Sequence, residues 1–329
     1  MVETSPTAAG RFARRLVFRT LRVVTGATLT CAALSFATTE SSEAAPLAAK
    51  SLLLDITRAG DQLVAVGNYG HVLLSSDSGL TWAQSLTPTR ALLTGVSFAD
   101  ARQGWVVGHD GVILVTSDGG KSWTRQDNGQ DTETIYLDVL FLDSSRGFVV
   151  GAYGKFLTTT DGGKTWSASK PVDGEIHYNR ITVGADGGLF LAGESGAVLI
   201  STDQGQSWTR SDVPYQGSFF GVLPLDAASL VAYGLRGHIF HSSDHGVTWD
   251  AQNSDIKVLI MAGCRLKNGN VVLAGQGGNF FVSRDGGRTF SPWQSEGFGT
   301  SIADLIEAID GSLVTVGEAG AVRITLPAP

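Results

Sequence analysis

From about Ser51 to the end of the chain, short apolar runs rich in Val, Ile, Leu and Phe are cut at regular intervals by Gly, Asp and Ser. Residues 92–125 show the pattern: LLTGVSFAD, the turn ADARQG, then GWVVG, GHDG, VILVTS and DGGKSW, with TRQDNGQDTET as a longer link. Runs of this length, β-branched and bounded by turn formers, predict strands joined as an antiparallel meander. The nearest approach to a helical period, SIADLIEAI at 301–309, falls where the first strand of a unit belongs.

The pattern is a repeat. An eight-residue phrase returns as SSDSGLTW (75–82), TSDGGKSW (116–123), TTDGGKTW (159–166), STDQGQSW (201–208), SSDHGVTW (242–249) and SRDGGRTF (283–290). A G-x-x-G phrase precedes each copy, and a seventh, GEAG at 317–320, has no partner phrase after it. Units of about 42 residues, each of which cannot bury both faces alone, predict one blade per repeat. The expected fold is all-β: a seven-bladed β-propeller of four-stranded antiparallel blades over residues 46–329. Only PAP follows AVRITL, so the last blade is expected to take its fourth strand from the stretch around Glu43–Leu47, closing the ring.

The eight-residue phrase reads as a structural turn. Asp77, Asp118, Asp161, Asp203, Asp244 and Asp285 are placed to accept N–H groups of their own turns. The Gly two places on takes a positive φ without steric cost. The Ser/Thr before the aromatic residue adds a hydroxyl. Trp82, Trp123, Trp166, Trp208, Trp249 and Phe290 are plugs for the seams between blades. One carboxylate per copy is too few for calcium, and no metal or cofactor is expected. His238, His241 and His245 do not share a face, and Cys264 reads as a small core residue.

These turns form one uniform rim, whereas the G-x-x-G turns and inter-blade links form a varied one, including Tyr69, Tyr153 and Arg236. Counting fifteen residues back from the first Gly of each G-x-x-G gives Leu52, Leu93, Tyr136, Tyr178, Phe219, Ile260 and Ile302. Two residues further stand Leu54, Gly95, Asp138, Arg180, Gly221, Ala262 and Asp304. Tyr136, Tyr178, Phe219, Phe220, Asp138 and Arg180 are thus expected around a channel mouth as a binding site. The alternative is ordinary packing with an Arg180–Asp138 ion pair.

The first 37 residues stand apart. Arg11, Arg14, Arg15, Arg19 and Arg22 precede the apolar run VVTGATLTCAALSFA, which is shorter than the roughly 20 residues that span a bilayer. This predicts a cleaved export signal at 1–37, a short linker at 38–45 and a periplasmic location. Without those residues the chain holds 19 basic and 30 acidic side chains, a net charge of −11. That argues against nucleic acid as partner. No nucleophile elbow, phosphate loop or zinc-protease motif is present, so no catalytic residues are assigned.

The repeated S-x-D-x-G-x-[TS]-W resembles the Asp-box (BNR) repeat of sialidases. The fuller unit at 96–123 is similar to that of the Ycf48-like (Hcf136-like) photosystem II assembly factor family. The resemblance implies an exported, non-catalytic propeller that binds a membrane-protein subunit or exported loop. The family's arginine-rich patch has no counterpart in the scattered arginines here. The sialidase resemblance implies a glycosidase or glycan-binding alternative, yet the F/Y-R-I-P segment is absent; Asp138 and Asp304 are its only candidate carboxyl pair.

Overall fold

The computed structural model describes residues 40–129, 132–252, 257–293 and 299–324. The signal assigned to residues 1–37 lies outside them. The described chain forms seven antiparallel sheets, six of four strands and one of three, each in simple sequential order. The innermost strands are Leu53–Ala59, Leu93–Phe98, Tyr136–Phe141, Tyr178–Val183, Phe219–Pro224, Ile260–Arg265 and Ile302–Glu307. They lie beside one another around the centre, the last against the first. This is the seven-bladed propeller that the repeat predicts.

Seven apolar clusters occupy the seven seams, one between each pair of neighbouring blades. Each box aromatic packs against the blade before its own; Trp123, for example, joins Val64 and Val66 of blade 1. In the seam between blades 6 and 7 Trp293 takes that place, tilted against Phe280 at 4.8 Å. The second strand is buried along its whole length in blades 2 to 7, as in GWVVG and LVTVG, and in blade 1 from Leu63 to Gly67. That burial on both faces explains why these strands are continuously apolar rather than alternating.

The box turns have the expected Asp-centred bonds and one further participant. Asp118 Oδ1 accepts the Ser122 N–H at 3.0 Å and its Oδ2 accepts the Ser122 hydroxyl at 2.6 Å. These bonds, the Ser122 hydroxyl foremost, hold the Asp118 pKa at about 2. The further participant is the Ser/Thr two places before the Asp. Ser75, Thr116, Thr159, Ser201, Ser242 and Ser283 are all buried. The Thr116 hydroxyl donates to Asp118 Oδ1 (2.8 Å) and accepts the Gly120 N–H (3.0 Å). Thr116→Val should therefore leave a buried N–H unpaired and lower stability by about 1–2 kcal/mol, measured by urea unfolding. An unchanged midpoint would show that the hydroxyl is dispensable.

The ring closes differently from the expectation. Among the described residues the last sheet has three strands, Ile302–Glu307, Leu313–Gly317 and Gly320–Ile324. Residues 42–45 instead run along the outer edge of blade 1. Ser42 N–H donates to the Thr87 carbonyl (2.9 Å), Thr87 N–H to Ser42 Oγ (2.7 Å), and Ala45 N–H to Gln84 Oε1 (2.8 Å). The chain then makes a 3-10 turn at Ala48–Lys50, where Ala48 packs with Val314 and Val316 of blade 7. A Cβ on Gly320 would lie 2.1 Å from the Ala49 carbonyl oxygen. Pro46, with no N–H to give a ladder, suits a turn here rather than the expected strand. Closure is thus a packed plug at the seam between blades 7 and 1.

Candidate functional site

Every innermost strand begins with the same irregularity. The pairing register shifts once in each blade, between Leu53 and Asp55, Leu93 and Gly95, Tyr136 and Asp138, Tyr178 and Arg180, Phe219 and Gly221, Ile260 and Ala262, and Ile302 and Asp304. A bulge re-aims the unpaired side chain. The seven bulged residues, Leu54, Thr94, Leu137, Asn179, Phe220, Met261 and Ala303, together line a cavity of about 170 Å³ at the centre of the ring, with Asp138 and Arg180 also on its wall. The bulge brings the strand start close over the first Gly of each G-x-x-G: a Cβ on Gly234 would sit 2.2 Å from the Ser218 carbonyl oxygen. That contact explains why the position is glycine in every unit.

The bulge changes the site assignment. Tyr136, Tyr178 and Phe219 stand before it and are fully buried in the seams, so they are core residues and not the mouth. Phe220, Asp138 and Arg180 do line the cavity. In blade 1 the count from G-x-x-G is one residue out. Four residues separate Arg58 from its partner Leu63, where five separate Phe98 from Gly104. The residue in the charged row is therefore Asp55, not Leu54, and Leu53, not Leu52, occupies the seam.

Below the mouth lies a buried charge cluster. Arg180 donates from one terminal nitrogen to Asp55 Oδ1 (2.8 Å) and from the other to Asp304 Oδ1 (2.9 Å), while its Nε lies 3.9 Å from Asp138 Oδ2. The ion pair expected with Asp138 is present, but the two shorter ones reach blades 1 and 7. Each aspartate also accepts a backbone N–H from the next blade: Asp55 from Val96 (2.7 Å), Asp138 from Ile181 (2.9 Å), Asp304 from Ile56 (3.4 Å). Burial raises the Asp138 pKa to about 6 against the pull of Arg180. Burial, then the Asp304 carboxyl, raises Asp55 well above the carboxylate range. Burial lowers the Arg180 pKa, but the three carboxyl groups outweigh it and the guanidinium stays charged. Tyr233 fills the room left by Gly221, where a Cβ would meet its hydroxyl at 2.2 Å. Burial lifts its pKa to about 12, although Arg180 donates to the hydroxyl.

Around the mouth stand the G-x-x-G turns. Tyr69, Asp110, Tyr153, Ser195 and Arg236 occupy the same place in five of them, all at φ between 55 and 58°. A left-handed backbone that holds Tyr or Arg costs about 1 kcal/mol, and it aims the side chain outward. Tyr69 is 54% and Tyr153 67% exposed. Tyr153 meets His177 edge-on at 4.7 Å, and His177 lies 3.6 Å from Glu194. Asp138 and Asp304, the carboxyl pair considered for glycoside hydrolysis, both face Arg180. Among the described residues no His, Cys, Asp and Glu group suits a metal ion, and no helix is long and apolar enough to cross a membrane.

The fold is similar to that of solved propellers. YCF48 from Cyanidioschyzon merolae superposes with a TM-score of 0.69 at 19% identity, covering 84% of this chain and 96% of that one. A structure of YCF48 bound to D1 peptide gives 0.68 at 19% identity, covering 89% and 99%. The WD40 propeller domain of Doa1 gives 0.65 at 13% identity, covering 87% and 95%. At these identities the likeness establishes fold alone. A comparison with curated protein sequences returned no match. The sequence does match a family profile over residues 80–133 and 126–325. With that match running along most of its length, the chain belongs to the family described as Photosynthesis system II assembly factor YCF48.

Proposed function

We propose that this protein is an exported, non-catalytic propeller that binds an exposed segment of a membrane-protein subunit and acts as an assembly factor for its complex. The observation that carries the reading is the contrast between the two rims. The box turns are uniform, whereas the left-handed corners of the G-x-x-G turns vary from blade to blade and hold out, among others, Tyr69, Tyr153 and Arg236. Exposed aromatic and arginine side chains on rigid corners suit recognition of a polypeptide at low entropic cost. The family membership supports the same reading, as does the structure of a family protein with D1 peptide. The basic, apolar start of the sequence supports export.

Affinity capture with the tagged protein from detergent-solubilised membranes of its source should retain a discrete membrane protein. A Tyr69→Ala/Tyr153→Ala/Arg236→Glu variant should lose it while keeping its unfolding midpoint, because all three side chains project into solvent. Equal capture by the variant, or no membrane protein at all, would sink the proposal. Hydrolysis of a glycoside panel that disappears in Asp138→Asn would replace it with the glycosidase alternative.

A further inference from the structure

The cavity at the channel mouth has a chemistry of its own. Its walls are the apolar side chains of Leu54, Leu137, Phe220 and Met261, and its polar groups offer acceptors. Asn179 donates from Nδ2 to the Phe219 carbonyl (2.7 Å), which leaves its amide oxygen free of that bond. The Thr94 hydroxyl donates to the Tyr136 carbonyl (2.9 Å) and keeps lone pairs for a donor. Asp138, 7% exposed, lies on the same wall. The one cation on this wall, Arg180, gives its terminal nitrogens to Asp55 and Asp304 and reaches Asp138 only through Nε at 3.9 Å, while each Asp138 oxygen accepts one backbone N–H, from Val139 (2.8 Å) and Ile181 (2.9 Å), and keeps a further lone pair. With the Asp55 carboxyl held protonated by burial, the Asp138 and Asp304 carboxylates against a single guanidinium leave one surplus negative charge in a site with apolar walls. A buried charge of that kind favours a cation that brings donors, and the face of Phe220 adds to the attraction. An anion meets the surplus charge, and a neutral apolar guest leaves the acceptors unpaired.

We infer that the mouth is a binding site for an alkylammonium group, its methylene chain against Leu137, Phe220 and Met261 and its ammonium donating toward Asp138, Asn179 and Thr94. A volume of about 170 Å³ suits a short chain of this type. The group could come from a lysine side chain of a bound polypeptide or from a free diamine.

Methionine supplies the probe, because the chain has two, Met1 and Met261. In protein labelled at the methionine methyl carbon, n-butylammonium should shift the Met261 signal saturably, and butyrate should not. Asp138→Asn should weaken binding about tenfold, as loss of a charged hydrogen bond does. Ala303→Phe, which fills the mouth without touching its charge, should abolish binding and decides the matter if the first variant fails to fold. Tighter binding of putrescine than of N-acetyl-lysine methylamide would name a free diamine, and the reverse order a lysine side chain. An equal response to butyrate, no response to any of the three cations, or undiminished binding in folded Ala303→Phe would overturn the inference. The outcome is separable from that of membrane capture, which reads the rim. Capture with a silent Met261 removes this site and keeps the partner; a responsive Met261 without capture does the converse.

Discussion

Replacing Arg180 by alanine is expected to lower the unfolding free energy by about 3–5 kcal/mol at neutral pH, the usual result of leaving buried charges without their partner. The side chain is only 18% exposed, and it pairs with carboxyl groups of blades 1, 3 and 7 at once. The loss should depend on pH in a defined direction. A carboxyl whose folded pKa is raised binds more protons folded than unfolded, so stability falls as pH rises between the two values. For Asp138 that window runs from its unfolded value near 3.8 to about 6 in the wild type. Without Arg180 the folded pKa rises further, so the variant should recover part of its lost stability on acidification from neutral pH towards pH 5. The box aspartates act oppositely. Their pKa values near 2 mean that their contribution is complete above about 4 and is lost as pH falls below it. Urea unfolding at a series of pH values checks both halves. A variant within 1 kcal/mol of wild type at pH 7, or one that weakens further on mild acidification, would refute the account.

Trp105→Ala should cost a similar amount, about 3–5 kcal/mol, the range for deleting a fully buried aromatic ring. Trp105 has no exposed surface, lies flat on Phe141 of the next blade at 3.4 Å and 2°, and donates from Nε1 to the Gly162 carbonyl at 3.0 Å. Gly162 belongs to the box turn of blade 3, so one side chain ties the second strand of blade 2 to the stack and turn beside it. Trp105→Phe keeps the ring contact and drops the donor, and should cost about 1 kcal/mol. Equal losses in the two variants would assign the effect to the hydrogen bond rather than to packing.

The fold could be read from the sequence because its evidence is periodic. Six copies of one turn and seven of another fix the blade number even where single strands are short. The roles of the box Asp and Gly could be read from local chemistry. The site could not, for two reasons. The bulge at each strand start shifts the outward-facing position by one, from Tyr136, Tyr178 and Phe219 to Leu137, Asn179 and Phe220, and no residue type at those positions announces it. The hairpin of blade 1 is one residue shorter than that of blade 2, so counting from Gly67 put Leu54 in the row where Asp55 belongs. Asp138, Arg180 and Asp304 came into view because charge is rare on an innermost strand. Their convergence, with Arg180 reaching the carboxyl groups of Asp55 and Asp304, is a fact of three dimensions. The ring closure is hidden in the sequence for a simpler reason: a chain segment can seal a seam by packing and a few hydrogen bonds without adding a strand.

Circular repeat proteins ordinarily gain cohesion from adjacent units alone, which leaves any one segment able to fray while the remainder persists. The guanidinium of Arg180 breaks that rule. It connects blade 4 directly with blades 1 and 7, so parting the joint where the chain's described beginning and end meet requires releasing a tie anchored on the far side of the torus. The joint between the two ends of the described chain is thereby coupled to its opposite arc, and opening there becomes an event of the whole molecule.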